Sequence, residues 1–559
     1  MQFIFIRKLK QMICLVLLVL LGASSAALAE TTAHREVTDA NAVQEAGPAE
    51  AGSSQDMQVY TDGARGYQLQ LPAEAVIDTA KGEVFTSVTW PGHALKIFYD
   101  DFTTQPGVTV NNLMQYGDRN LETSGRFHVT DRYKLSLDGR GAAQVTVYAR
   151  GILSKIEGDL PYYTSIVCPR GNKEAVTLLL KSSQPLTPAE IRGWPRRLTW
   201  IPRTGVAPMF KDQEQPLYKH LNADTRAFLE NNFGANASLR FGIYHASVEN
   251  TSLRTVDTSQ LRQLEAQLGY RFPLLLSYST TTVFQDGFGA LKQNLLQAAA
   301  AEDRTLLLTL TTFENGPDIA RQSDCTLDLL QGKYDGVLAQ YAQAFKDYRR
   351  PVLLRINNEM NGDWVMYCNQ FLGKDPDLYV AAYRYIHDFF TQAGADNVIY
   401  VFNPNEKSFP AFSYNHYLAY YPGRNYVDLI GLTAYNTGSY YPGESWRTFS
   451  EMYARLYNDY ARCFPQPFII TEFSSAEIGG NKVAWIRDMF QIIKAYDRIK
   501  LAVLWNGTDW DQRDGVTVAA RQYRLDTDQD LLQVLRQGLA DCPQVFISAS
   551  EPDVEPQGR

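Results

Sequence analysis

The chain has 559 residues, 45% of them hydrophobic and 20% charged, with a formal net charge of −8. That length exceeds one ordinary domain, and the composition excludes a disordered or collagen-like chain. The acidic balance argues against nucleic acid or an anionic membrane surface as a partner.

In chain order, the first predicted element is a leader. Arg7, Lys8 and Lys10 precede an apolar run from Ile13 to Leu21, and Ala27-Leu28-Ala29 offers small residues for cleavage. This predicts a secretory signal over residues 1–29, with no membrane span once it is removed. The expected location is secreted, periplasmic or at the cell envelope. Residues 30–57 are rich in Ala, Glu, Thr, Ser and Gly and read as a flexible spacer.

Residues 58–203 read as a smaller α+β domain of unknown role. Apolar residues alternate in Gly66–Pro72 and Ala143–Val147, and denser strand-like runs lie at Ala94–Tyr99 and Ala175–Leu180. Thr109–Leu121 fits a helix, and Thr187-Pro-Ala-Glu190 opens another with a capping box and an early proline. No catalytic constellation is visible in this domain. A possible role is association with the cell envelope, in which case the domain would carry the function and the barrel would only trim a matrix polysaccharide.

Over 204–545 the texture changes. Eight short apolar runs recur, at 239–245, 273–279, 305–312, 351–359, 397–405, 427–436, 467–474 and 499–507, with helix-compatible stretches such as 257–268 and 377–393 between them. Such β–α units with nearly continuous apolar strands predict an α/β fold, a (β/α)8 TIM barrel. A doubly wound open sheet is the alternative, but Tyr244-His245-Ala246 is no glycine-rich phosphate turn. Residues 546–559 read as a C-terminal tail.

In a barrel the chemistry sits at the C-terminal strand ends. Two of the eight runs bring a carboxylate there: "RINNEMNGDW" (355–364) presents Glu359, and "FIITEF" (468–473) presents Glu472. A charge ending an apolar strand is costly unless paired, hydrated or used. Two carboxylates facing one mouth can divide glycosidic cleavage, one protonating the leaving oxygen and the other attacking the anomeric carbon. The bland alternative for Glu359 alone is an ion pair with Arg355. The histidines are scattered and no CxxC or clustered Cys/His spacing occurs, so no metal and no cofactor is expected.

These stretches also resemble a family. "RINNEMNGDW" is similar to the HEMNG-x-W acid/base signature of glycoside hydrolase family 26, best known for β-mannanases. "VFNPN" (401–405), "YYPGRNYVDLIGLTAYN" (420–436) and "FIITEF" match its later strands in order. The resemblance covers about residues 236–540 and implies a retaining reaction, with Glu359 as acid/base and Glu472 as nucleophile. It implies that Tyr435 hydrogen-bonds the nucleophile and that Trp364 and Trp505 stack on sugar rings. Asn358 stands where the family usually has His. Its amide would contact a sugar 2-hydroxyl, which widens the substrate field from β-mannan to β-glucan and β-xylan. His245 and Arg355 complete the substrate-binding expectations. Each has a plainer reading, His245 as a satisfied strand-end histidine and Arg355 as a guanidinium that neutralises a buried carboxylate or holds the nucleophile ionised. The rival of a different class is a catalytically silent polysaccharide-binding protein using the same cleft. An oxidising compartment would allow a Cys325–Cys368 disulfide between neighbouring loops, with Cys463–Cys542 a second candidate.

Overall fold

The computed structural model describes residues 56–122, 125–137, 141–212, 214–279, 289–314, 323–513 and 516–548. The expected signal, and the expected spacer up to residue 55, lie outside the described residues. Met57, assigned above to the spacer, already opens a strand, Met57–Asp62.

All eight apolar runs form parallel strands that close into a barrel. They are Arg240–His245, Leu274–Ser279, Thr305–Leu310, Val352–Ile356, Val398–Phe402, Leu429–Thr433, Phe468–Phe473 and Ile499–Asn506. Their dense apolar content follows from burial on both faces. Leu353 and Val401 point into the barrel, while Leu354 and Phe402 pack outward against the helical layer. The helix Ala223–Phe233, capped by the Asn222 side chain, closes the N-terminal end of the barrel with Phe228, Leu229 and Phe233. The tail begins later than its expected boundary at 546. Phe546 packs 5.2 Å from Phe228, and Ile547 exchanges backbone hydrogen bonds with the Asn232 amide at 2.9 Å.

The N-terminal domain is sheet-rich. A seven-stranded antiparallel sheet and a three-stranded one carry the helices Val110–Arg119 and Pro188–Gly193, the latter with the expected Thr187/Glu190 capping box. One apolar core runs from this domain into the barrel. Phe102, Leu113 and Tyr148 belong to the same packed cluster as Phe371, Tyr379 and Tyr414. Polar links cross the boundary as well. Lys374 Nζ lies 2.6 Å from Asp118 Oδ1, and Lys181 Nζ 3.1 Å from Asp375. The Tyr163 and Tyr148 hydroxyls reach Asp375 Oδ2 and the Gly373 carbonyl.

Neither expected disulfide forms. The Cys368 thiol donates to Asn415 Oδ1 at 3.2 Å, and the Cys325 sulfur accepts from the Tyr334 hydroxyl. Cys463 meets the Tyr417 hydroxyl, and Cys542 lies against the Gly538 carbonyl at the end of the helix before it. Adjacent loops do not ensure the close, aligned Cβ atoms that a disulfide needs. Among the described residues no helix is long and apolar enough to cross a membrane.

Candidate active site

Glu472 ends the seventh strand, and a register shift aims it. Leu432 pairs with Ile470 but Thr433 pairs with Glu472, so Thr471 is an extra residue against the sixth strand. In a regular strand Thr471 and Glu472 would face opposite sides; an inserted residue re-aims the chain. Both now serve the barrel mouth. Thr471 Oγ1 donates to Asn403 Oδ1 at 2.9 Å, and Glu472 receives three donors. Arg355 Nη1 reaches Oε1 at 2.8 Å, and the Tyr435 hydroxyl reaches Oε2 at 2.9 Å. The Tyr278 hydroxyl donates to the same Oε2.

Arg355 is wholly buried. The same Nη1 also donates to Asn403 Oδ1, and Nε and Nη2 both donate to Thr309 Oγ1, so the planar fork has one orientation. Burial works against its charge, but Glu472 and Tyr278 together raise its pKa. Burial and then the Glu472 charge push the Tyr435 and Tyr278 hydroxyls well up, which keeps both as donors. Of the two sequence alternatives for Arg355, pairing with Glu472 is the one formed; it is not the partner of Glu359.

Glu359 lies three residues beyond the fourth strand, where Asn357 and Glu359 both adopt positive φ, 49° and 54°. Such backbone is rare outside glycine and persists only when its surroundings enforce it. Here the Asn357 amide exchanges hydrogen bonds with Thr312, and Glu359 N donates to the Asn403 carbonyl at 2.7 Å. The Glu359 carboxylate takes Asn405 Nδ2 on Oε1 at 2.5 Å and the Trp364 indole N–H on Oε2 at 3.1 Å. Asn358 stays partly exposed beside it, its carbonyl held by the Tyr367 hydroxyl.

Trp364 corrects an expectation. It is 1% exposed and is no sugar platform. The ring folds back over Gly362, where a Cβ would come within 2.3 Å of it, and delivers its N–H to Glu359. Trp505 is both a packed and a cavity-lining residue. It is largely buried and stacked on Tyr244 at 5.2 Å, yet it lines a cavity of about 470 Å³ at the barrel mouth. His245 lines the same cavity, with Nδ1 held 2.8 Å from the Ser247 hydroxyl. Tyr278 and the half-exposed Trp510 complete its wall.

The sequence reading missed Tyr278, which lies next to Ser277 near the end of the second strand. Ser277 accepts from the buried Lys292 at 2.6 Å, behind the barrel wall. Asn403 and Asn405 were visible as strand-end amides without a role. Their signal was polar residues closing an apolar run, as with the glutamates. Among the described residues no group of three or more His, Cys, Asp or Glu is gathered to hold a metal ion.

Comparison with known proteins adds sequence evidence. Residues 300–498, which include both glutamates, match the sequence model described as Glycosyl hydrolase family 26. The chain is similar to Endoglucanase H of Acetivibrio thermocellus, 37% identical over 193 residues, 33% of this chain and 21% of that protein. It is similar to Mannan endo-1,4-beta-mannosidase A and B of Caldalkalibacillus mannanilyticus, 26% identical over 160 residues, 28% of each chain. The chain thus spans less than a third of either relative. Among solved structures, the catalytic domain of the Bacillus sp. JAMB-750 GH26 Endo-beta-1,4-mannanase aligns at 20% identity and a TM-score of 0.44, over 59% of this chain and 93% of that one.

Proposed function

From a barrel whose residues 300–498 belong to glycosyl hydrolase family 26, we propose that this chain is an exported, retaining endo-glycosidase acting on a β-linked polysaccharide. The observation that carries this is the unequal dressing of two carboxylates at one mouth. Glu472 is held by a guanidinium and two phenols, an arrangement that aims its carboxylate. Glu359 has only neutral donors, Asn405 and Trp364, on its carboxylate and keeps partial access to solvent. In the first step Glu472 attacks the anomeric carbon as the bond to the leaving oxygen breaks, and Glu359 gives that oxygen its proton. In the second, Glu359 takes a proton from water, which attacks the same carbon and releases Glu472. A silent binding protein has no use for this division of labour.

The first reading of the substrate is β-mannan, the polymer named for several of the relatives similar in sequence. A second reading, β-glucan, is favoured by Asn358 in place of histidine and by the 37% identity to an endoglucanase. Initial rates on mannan, glucomannan, mixed-linkage β-glucan, both β-xylan linkages and starch decide between them. Starch as best substrate would overturn the reading of the cleft. Proton NMR of the first product should show the substrate's own anomer; the opposite anomer would remove Glu472 as nucleophile. Export rests on the leader pattern and is checked by N-terminal sequencing of the protein recovered outside the cytoplasm. Envelope association of the N-terminal domain gains no support from its contacts, which run to the barrel.

A further inference from the structure

The segment after the fourth strand is unusual for an active-site loop: every residue from Met360 to Pro376 is buried. The barrel's own loop after the fifth strand covers one side of it, through Phe409, Tyr414, Asn415 and Tyr420, and the N-terminal domain covers another. The helix Val110–Arg119 touches it at three points. The Tyr116 hydroxyl donates to Asp363 Oδ2 at 2.5 Å, the Tyr116 carbonyl accepts from Gln370 Nε2 at 2.7 Å, and Asp118 takes Lys374.

We propose that Tyr116 is a positioning residue for the acid/base Glu359, acting across the domain boundary through Asp363 and Trp364. This rests on the reading of Glu359 as acid/base. Asp363 is bonded directly to Trp364 in the chain, and the Trp364 indole N–H holds Glu359 Oε2. The indole also sits against Gly362, so the Gly362–Trp364 turn moves as one piece. Fixing Asp363 therefore fixes the donor that orients the carboxylate. Burial and the Asp363 charge push the Tyr116 hydroxyl's pKa up, so it remains a donor throughout the working pH range. The Tyr116 ring is held separately, edge-on to Phe412 at 6.0 Å, and keeps its place without the hydroxyl. The N-terminal domain is thus part of the catalytic apparatus and not a detachable module.

The test uses the full chain with Tyr116→Phe and, as a second variant, Asp363→Asn. Rates are measured on two aryl β-glycosides of one disaccharide, mannobiose or cellobiose according to the polysaccharide panel. The phenyl glycoside needs a proton on its leaving group and the 2,4-dinitrophenyl glycoside does not. Acid/base help is worth roughly 10²–10⁴-fold, and a mis-set donor should forfeit about tenfold of it. We expect kcat/KM to fall about tenfold on the phenyl glycoside and less than twofold on the dinitrophenyl glycoside. Equal losses on both substrates, or no loss on either in both variants, would overturn the proposal. Glu359→Gln is run beside them. If it cleaves the phenyl glycoside at the parent rate, the acid/base reading has failed and the proposal falls with it. If it is inactive there while both other variants match the parent, only the positioning role is lost.

Discussion

Arg355 and Glu472 form an ion pair across the barrel interior, 2.8 Å between Nη1 and Oε1, with the guanidinium wholly removed from water. Removing one partner of such a pair strands the other charge in a poorly solvating interior, at a cost of roughly 3–5 kcal/mol. Arg355→Met should lose stability of that order in urea unfolding and also lower kcat by at least about 100-fold. A stability change below about 1 kcal/mol would mean that Glu472 does not depend on this partner.

Glu359→Gln and Glu472→Gln should each reduce turnover by orders of magnitude while leaving the fold intact. Acid–base help alone is worth roughly 10²–10⁴-fold, and loss of a nucleophile costs at least as much. Circular dichroism confirms folding; near-parental rates in either variant would remove it from the mechanism.

Trp364→Phe separates the positioning role from stacking. The indole N–H is lost, and most of the buried ring volume is kept. The expected outcome is a kcat lowered by about tenfold with KM changed less than twofold, on the order of one lost hydrogen bond. A platform residue would behave in the opposite way, with KM rising first.

Asp100 gives the domain boundary a pH dependence. It is buried, and its carboxylate accepts from the Ser413 backbone N–H and hydroxyl in the loop after the fifth strand. Burial raises its pKa to about 6, only partly opposed by those two donors. The folded form therefore holds the proton more tightly than an unfolded aspartate does. Its contribution to stability is complete below the unfolded value of 3.8 and is lost as pH rises through about 6. Asp100→Asn should flatten that slope and be more stable than the parent at pH 7.5 by on the order of 2–3 kcal/mol. Urea unfolding at pH 4.5 and 7.5 measures this; an equal difference at both pH values would refute it.

The barrel was legible because each strand is buried on both faces, so that runs such as Val398–Phe402 read as unbroken apolar segments. Glu359 and Glu472 were legible for the converse reason, since a carboxylate is a conspicuous way to end such a run. Tyr278 was not, because strand periodicity does not say which of three consecutive residues turns inward at a strand end. The shift that aims Glu472 depends on pairing with a strand nearly forty residues away, and nothing local in "FIITEF" signals it. The orientation of Trp364 escaped for a similar reason. Its loop reads as polar and exposed, and what encloses it comes from far along the chain, Phe409 against the ring and the helix carrying Tyr116, some 250 residues earlier, against its neighbour Asp363.

The links at the domain boundary also bear on the order of synthesis. The N-terminal sheet is complete at Ser182, long before Lys374 and Asp375 leave the ribosome. Until then Lys181 lacks Asp375, and Asp118 has only the partners within its own domain, Gln144, Thr146 and Arg132. Domains made first generally fold first, so the sheet is a finished mould waiting for the segment that carries Glu359. The barrel loop takes its shape on a surface that precedes it in time. A barrel made alone, from residue 204 onward, would have to fold that stretch without the contacts that Tyr116, Asp118 and Lys181 make to it.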